Sequence, residues 1–547
     1  MMKYPLTITT ILNRARTYFP AKEVVTRLPD GVHRYTYRDL YARVCKLANV
    51  LSGLGVSRGD RVGVFGWNTY RYLEAYFAAP CMGAVVHTIN IRLAPNDLVH
   101  IINHAKDRVL LVDEDLLPAI QAIAPRLETV QQFVIMGDGN APSSDLPGAH
   151  DYEELMREAS DSFDFPQLEE DTPAGLCYTS ATTGNPKGVT YDHRGLYLHT
   201  LTQCMTDSLA LSERDVILPV VPMFHANTWG VPYTSAFLGA TLVLPGPRPD
   251  AGAVCRLIEQ ERVTISLGVP TIWIGVLDYL ARSGGGCDFS SVRSLVSGGS
   301  AVPPYMFRAF DEMGIPMTHA YGMTEATPLV TICNYKSHMS SWDDDARMQV
   351  RVKQGFPVAG LEVRLVDEDG ADLPWDGEQQ GELLVRGPWI ASEYLDDPRS
   401  AETFVDGWYH TGDVVTIDPE GYVQVVDRAK DMVKSGGEWI SSVDLEAAIM
   451  AHPSVYEAAV IGVPHEKWQE RPLACVVPTE DRKGSLDREQ VLAHLEGKFA
   501  RWWLPDDVVF IDEMPKTAVG KFDKKALRER LASGASPGEQ ASTGGSR

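Results

Sequence analysis

Apolar positions Leu40, Val44, Leu47, Ala48 and Leu51 recur at helical spacing behind Thr36, a hydroxyl suited to an N-cap, with Gly53 and Gly55 as stop signals. The spacing predicts a helix. RVGVFG (61–66) then reads as a buried strand, EAYFAAPCMG (74–83) as helical, VLLVD (109–113) as a strand, LLPAIQAIAP (116–125) as a helix and QQFVIM (131–136) as a strand. ATLVLPG (240–246) and VTISLGVP (263–270) continue the series. Such alternation predicts an α/β fold: a large N-terminal domain of layered, mostly parallel sheets with helices on their faces. Ligands of such folds gather at loops beyond the carboxyl ends of strands.

The pattern changes near residue 427. DRAKDMVKSGGEWISS is charged and Gly-containing, and a helix (VDLEAAIMA), strands EAAVIGVP and PLACVVP, a helix near 487–500 and VVFIDEMP follow it. These predict a small, mobile α+β C-terminal domain. The division expected is 1–427, 428–530 and a disordered tail at 531–547, with a hinge in Asp427–Lys430. No internal repeat is visible.

Composition narrows the functions. A chain of 547 residues is too long for one core, and 44% hydrophobic with 22% charged residues is the profile of a globular protein. A formal charge of −23 disfavours nucleic acid and anionic membrane surfaces as partners. The eight cysteines show neither CxxC nor zinc-ligand spacing, which fits a reducing cytoplasm, and neither a secretory signal nor an apolar run long enough to span a membrane is read.

Chemistry concentrates first at residues 178–188, YTSATTGNPKG. Thr179, Ser180, Thr182 and Thr183 offer hydroxyls, Gly184 permits a bend and Lys187 adds a cation, a set suited to polyphosphate oxygens at a strand end. The chain has no GxxxxGK[ST] and no GxGxxG, and by composition alone the stretch is better described as a Ser/Thr-rich surface turn.

Four further stretches change that balance: AYGMTEATP (320–328), YHTGD (409–413), DRAKDMVKSGGEWISSVDLE (427–446) and PKTAVGK (515–521). With the 178–188 loop they resemble, in order and spacing, the core motifs of the adenylate-forming superfamily of acyl-CoA synthetases, luciferases and peptide-synthetase adenylation domains. LPVVPMFHANTWGVP (218–232) and HEKWQERPLA (465–474) look like the medium- and long-chain fatty acyl-CoA synthetase branch. The resemblance implies ATP, Mg²⁺ and coenzyme A as reactants and cofactors. A carboxylic acid attacks the α-phosphate of ATP to give an acyl-adenylate and pyrophosphate, and the thiol of coenzyme A then displaces AMP.

It also implies roles. The 178–188 loop would wrap the β- and γ-phosphates with Lys187 as a mobile charge, and Ala181 stands where family members often carry Gly. Glu325 would hold Mg²⁺ with Thr182 near the ion, and Thr324 would sit at phosphate. Tyr321 and the adjoining Gly322 would lie against adenine, Asp413 would accept from both ribose hydroxyls, and Arg428 would hold the same sugar. Gly298 to Ala301, including Gly299 and Ser300, would line the boundary of adenine and acyl group. Lys521 would reach the α-phosphate and the carboxylate, and Lys434 a phosphate, with Glu438 and Trp439 nearby; Lys524 and Lys525 are expected to be solvated. His225 would position the carboxylate and Trp229 gate the acyl tunnel, Lys430 would be the hinge, and Gly436-Gly437 would swing toward the coenzyme A entrance.

By analogy with the same branch a homodimer is expected. Alternatives stay open: a ligase for an aryl or short sulfur-containing acid, an enzyme loading a carrier protein, a luciferase-like oxidase, or a nucleotide-binding regulator without turnover. A peptide-synthetase adenylation domain is disfavoured because 26 residues follow Lys521, too few for a carrier domain.

Overall fold

The computed structural model describes residues 1–547 except 138–145, 180–184, 285, 429–430, 436–437, 466, 518–520 and 533–547, and only the backbone of Arg428, Glu438 and Trp439. Four sheets organise the chain. A seven-stranded sheet is built on parallel strands including Arg61–Phe65, Val85–Thr88, Asp107–Asp113, Gln132–Met136 and Pro173–Tyr178, with Gly188–Asp192 antiparallel at its edge. A nine-stranded sheet has Val216–Pro219, Thr241–Leu244, Ile265–Gly268, Ser294–Gly298 and Met317–Gly322 in parallel.

The expected helix behind Thr36 is Tyr37–Gly53. Thr36 accepts from Asp39 N, Asp39 answers to the Thr36 backbone, and Leu40, Val44, Leu47, Ala48 and Leu51 are buried. The helix Tyr70–Cys81 is buried on every side and belongs to a core whose strand residues, Val62 and Val109 from one sheet and Leu242 and Leu267 from the other, come from both large sheets. A helix apolar all round requires such enclosure.

One sheet was not read from the sequence, and one helix is shorter than expected. Glu362–Val366, Gly381–Arg386, Phe404–Val405, Trp408–Ile417 and Val423–Arg428 form a third sheet in which every pairing is antiparallel. Its core gathers Leu365, Leu383, Val385, Val415, Ile417 and Val423, and the intervening Leu384 is buried as well. The helix expected near 487–500 stops at Leu495, and Gly497 follows with φ +78°.

The last strand of the third sheet ends at Arg428 and the fourth sheet begins at Val433–Ser435. That sheet pairs the hairpin Val455–His465 and Gln469–Pro478 with Asp507–Phe510, and helix Ser442–Met450 packs on it through Leu445 and Ile449. Among the described residues no helix is long and apolar enough to cross a membrane.

The join between the bodies is polar and buried. Asp427 accepts from the backbone N and the hydroxyl of Ser442, Ser441 Oγ donates to Val426 O, and Lys524 Nζ lies 2.7 Å from Glu446. Lys524 is therefore not solvated as expected: its side chain is 13% exposed, whereas Lys525 is exposed. Burial makes an unpaired charge costly, so the lysine needs that carboxylate.

Candidate active site

A cavity of about 370 Å³ opens at the carboxyl ends of the parallel strands, lined from both sheets, the third sheet and the small body. Thr179 and Lys187 reach it from the loop after Pro173–Tyr178, which is closed by Thr179 N donating to Lys187 O at 2.9 Å. Gly298 and Gly299 come from the end of Ser294–Gly298, and Tyr321, Gly322, Thr324 and Glu325 from the end of Met317–Gly322 and the turn after it. Gly322 has no room for a side chain, since a Cβ there would meet Pro328 O at 2.1 Å. Ser180, Thr182, Thr183 and Gly184, with Ala181, lie outside the described residues, as do Lys430, Gly436 and Gly437. Nothing is described of the side chains of Arg428, Glu438 and Trp439.

Tyr321 Oη donates to Asp413 Oδ2 at 2.5 Å, and Asp413 is 3% exposed, so the aromatic ring and the carboxylate are set together at one end. The turn carrying Asp413 is fixed by Glu382: His410 Nδ1 bonds its Oε2 at 2.9 Å and Gly412 N donates to its Oε1 at 3.0 Å. Glu382 and His410 line the cavity and were not read from the sequence.

Lys521 enters from the small body. Its Cε is 3.4 Å from where a Cβ on Gly299 would stand, and Gly299 has φ +87°, so glycine there gives both the turn and the passage. Lys521 and His225 line the same cavity; burial, with the lysine's charge beside it, pushes the half-buried imidazole down to about 3, so it is neutral at pH 7. Ser300 is exposed and Lys434 is exposed on Val433–Ser435; neither is among the described lining residues.

Ala226, Asn227, Thr228 and Trp229 all have left-handed φ, from +43° to +56°. Four such non-glycine residues in a row cost roughly 1–2 kcal/mol each, which the surrounding packing must offset. Gln203 Nε2 donates to Trp229 O at 2.6 Å and Thr234 Oγ1 bonds Gln203 Oε1, which pins the turn. It presents Trp229, half-buried, to the cavity beside Leu209 and Gln203.

On the phosphate side Glu325 is 8% exposed, and its Oε1 accepts from Tyr394 Oη at 2.8 Å. Burial lowers the pKa of Lys187, partly countered by Glu325, and Arg399 holds Asp397 down to about 2. No group of three or more His, Cys, Asp and Glu gathers as a metal cage among the described residues. A buried carboxylate is the donor of a hard cation that keeps most of its waters, and Glu325 fits Mg²⁺ in that sense; Thr182, the other expected ligand, lies outside the described residues.

Two large α/β sheets, a cavity at their strand ends and a lysine supplied by a second body make up the site. The chain belongs to the AMP-binding enzyme family: the family model matches residues 12–395, and that of the AMP-binding enzyme C-terminal domain matches 444–521. It is 46% identical over 533 residues to a long-chain-fatty-acid–CoA ligase of Thermus thermophilus, covering 97% of this chain and 96% of that one. It is 44% identical to a 3-methylmercaptopropionyl-CoA ligase of Ruegeria lacuscaerulensis, covering 97% and 98%. Among solved structures, an anthranilate CoA ligase in complex with anthranoyl-AMP superposes with a TM-score of 0.85 at 28% identity, over 97% of this chain and 100% of that one.

Proposed function

We infer that the chain is an ATP-dependent, AMP-forming acid–CoA ligase acting on a linear, mostly apolar acid of medium or long chain. The observation that carries this reading is the convergence of Lys521, His225, Glu325 and Tyr321 on one cavity, with Asp413 hydrogen-bonded to Tyr321.

In this reading adenine lies against Tyr321 and the ribose hydroxyls donate to Asp413. The triphosphate runs along Thr179, Thr324 and Lys187. The acid enters past Trp229 to His225, whose neutral imidazole orients the carboxylate without carrying charge. Negative charge grows on the α-phosphate as the carboxylate oxygen attacks, and Lys521 offsets it from outside the large body. The bond from phosphorus to pyrophosphate breaks, and the acyl-adenylate stays behind. In the second step the thiol of coenzyme A adds to the acyl carbon and AMP leaves; no protein nucleophile is needed. Glu325, with Thr182, would hold Mg²⁺, which when bound supplies positive charge at the phosphate oxygens.

A shorter acid is a second reading, favoured by the cavity itself: about 370 Å³ must seat nucleotide as well as acyl group, and the lining includes the polar amide of Gln203. The free thiols of all eight cysteines, buried or half-buried, are in keeping with a reducing cytoplasm. The homodimer is an expectation for light scattering. Acids of graded length, with aryl and thioether acids, assayed for acyl-CoA and AMP formation test the function; no product from any acid overturns it, and an optimum at short thioether acids selects the second reading.

A further inference from the structure

The segment Ala391–Arg399, outside every stretch singled out in the sequence, is stitched to both charged elements of the phosphate side. Ala391 N donates to Glu325 O and Leu395 N to Gly188 O, each at 2.8 Å, and Arg399 Nη2 reaches Asn185 O at 3.2 Å. At its centre is Tyr394, 3% exposed. Its backbone N donates to Ser400 Oγ at 2.9 Å, and Phe404 packs edge-on against its ring at 5.1 Å between centroids. The ring has little freedom to move.

Tyr394 touches two opposite charges at once. Its hydroxyl donates to Glu325 Oε1 at 2.8 Å, and Lys187 Nζ stands 4.3 Å from its ring centroid. Glu325 is near enough to act on the lysine's protonation, yet none of the ion pairs among the described residues joins the two. A direct pair would neutralise both groups before a ligand arrives. An aromatic face that carries the ammonium and a phenol that occupies one carboxylate oxygen keep them apart.

We propose that Tyr394 is a positioning residue of the phosphate subsite, its hydroxyl aiming Glu325 and its ring face seating Lys187. This rests on the reading of that subsite as the place of the departing pyrophosphate. The test is therefore a binding measurement that needs no turnover: calorimetric titration of the full chain with inorganic pyrophosphate, in EDTA and in Mg²⁺.

Tyr394→Phe keeps the ring and removes the hydroxyl. It is expected to bind pyrophosphate in EDTA within about twofold of the parent while losing most of the tightening that Mg²⁺ brings, by roughly tenfold or more, since hydrogen bonds to charged groups are the stronger kind. Tyr394→Leu is expected to lose a further two- to fivefold in EDTA, the scale of a cation–π contact. Phe fills nearly the same volume, so Tyr394→Phe carries the test alone if the Leu variant fails to fold. The proposal is overturned if the Phe variant keeps the full effect of Mg²⁺, or if the parent binds no pyrophosphate. Failure of every acid to give acyl-CoA would instead defeat the functional reading and leave the titration to judge Tyr394.

Discussion

Replacing His225 by Asn tests whether the imidazole works as a neutral hydrogen-bonding group or as a cation that pairs with the substrate carboxylate. Burial, reinforced by Lys521, holds His225 at about 3. At pH 5.5 such a group is protonated in well under about 1% of molecules, whereas a histidine at its ordinary value near 6.5 would be about 90% protonated. Acid-dependent exchange of pyrophosphate into ATP, followed from pH 5.5 to 8, should therefore show no acid limb traceable to this residue. His225→Asn should lower kcat/KM for the acid by roughly two- to thirteenfold, the equivalent of one neutral hydrogen bond of 0.5–1.5 kcal/mol, without changing the shape of the profile. An acid limb with an apparent pKa near 6 in the parent that vanishes in His225→Asn would refute the neutral role.

Two further outcomes follow from contacts beside the join of the two bodies and at the cavity wall. Lys524→Met breaks the pair with Glu446 where both side chains are nearly buried, and should cost about 3–5 kcal/mol in denaturant unfolding, partly restored by adding Glu446→Gln; Lys525→Met should stay within about 0.5 kcal/mol. Equal effects of the two lysine changes would contradict the buried pairing. Gly322→Ala drives a methyl to within 2.1 Å of Pro328 O, so the strand end must shift; weakened AMP binding by calorimetry is expected, and unchanged affinity would show that the wall yields freely.

Much of this was legible along the chain because it is local. The cap at Thr36 and the buried face of Tyr37–Gly53 follow from neighbours within one helix, and placing Lys187 at a strand end needed only the apolar run before it. What escaped depends on tertiary contact. Tyr394 meets Glu325 across 69 residues and Lys524 meets Ser442 across 82, and no periodicity reports such pairs. The left-handed run from Ala226 to Trp229 continues into Gly230, but its hold on Gln203 is a tertiary contact that residue type does not report. The third sheet lies in a stretch where no strands were read, because consecutive buried residues such as Leu383, Leu384 and Val385 hide its alternation.

The central claim is that a cation from the small body serves the formation of the mixed anhydride and not its consumption. Lys521→Ala, assayed separately for pyrophosphate exchange and for thioester formation from synthetic acyl-adenylate and coenzyme A, measures this directly. Exchange should fall by about 10² to 10³, the scale of losing one transition-state charge stabiliser, while thioester formation stays within about tenfold. Exchange at the parental rate, or an equal loss in both steps, would contradict it.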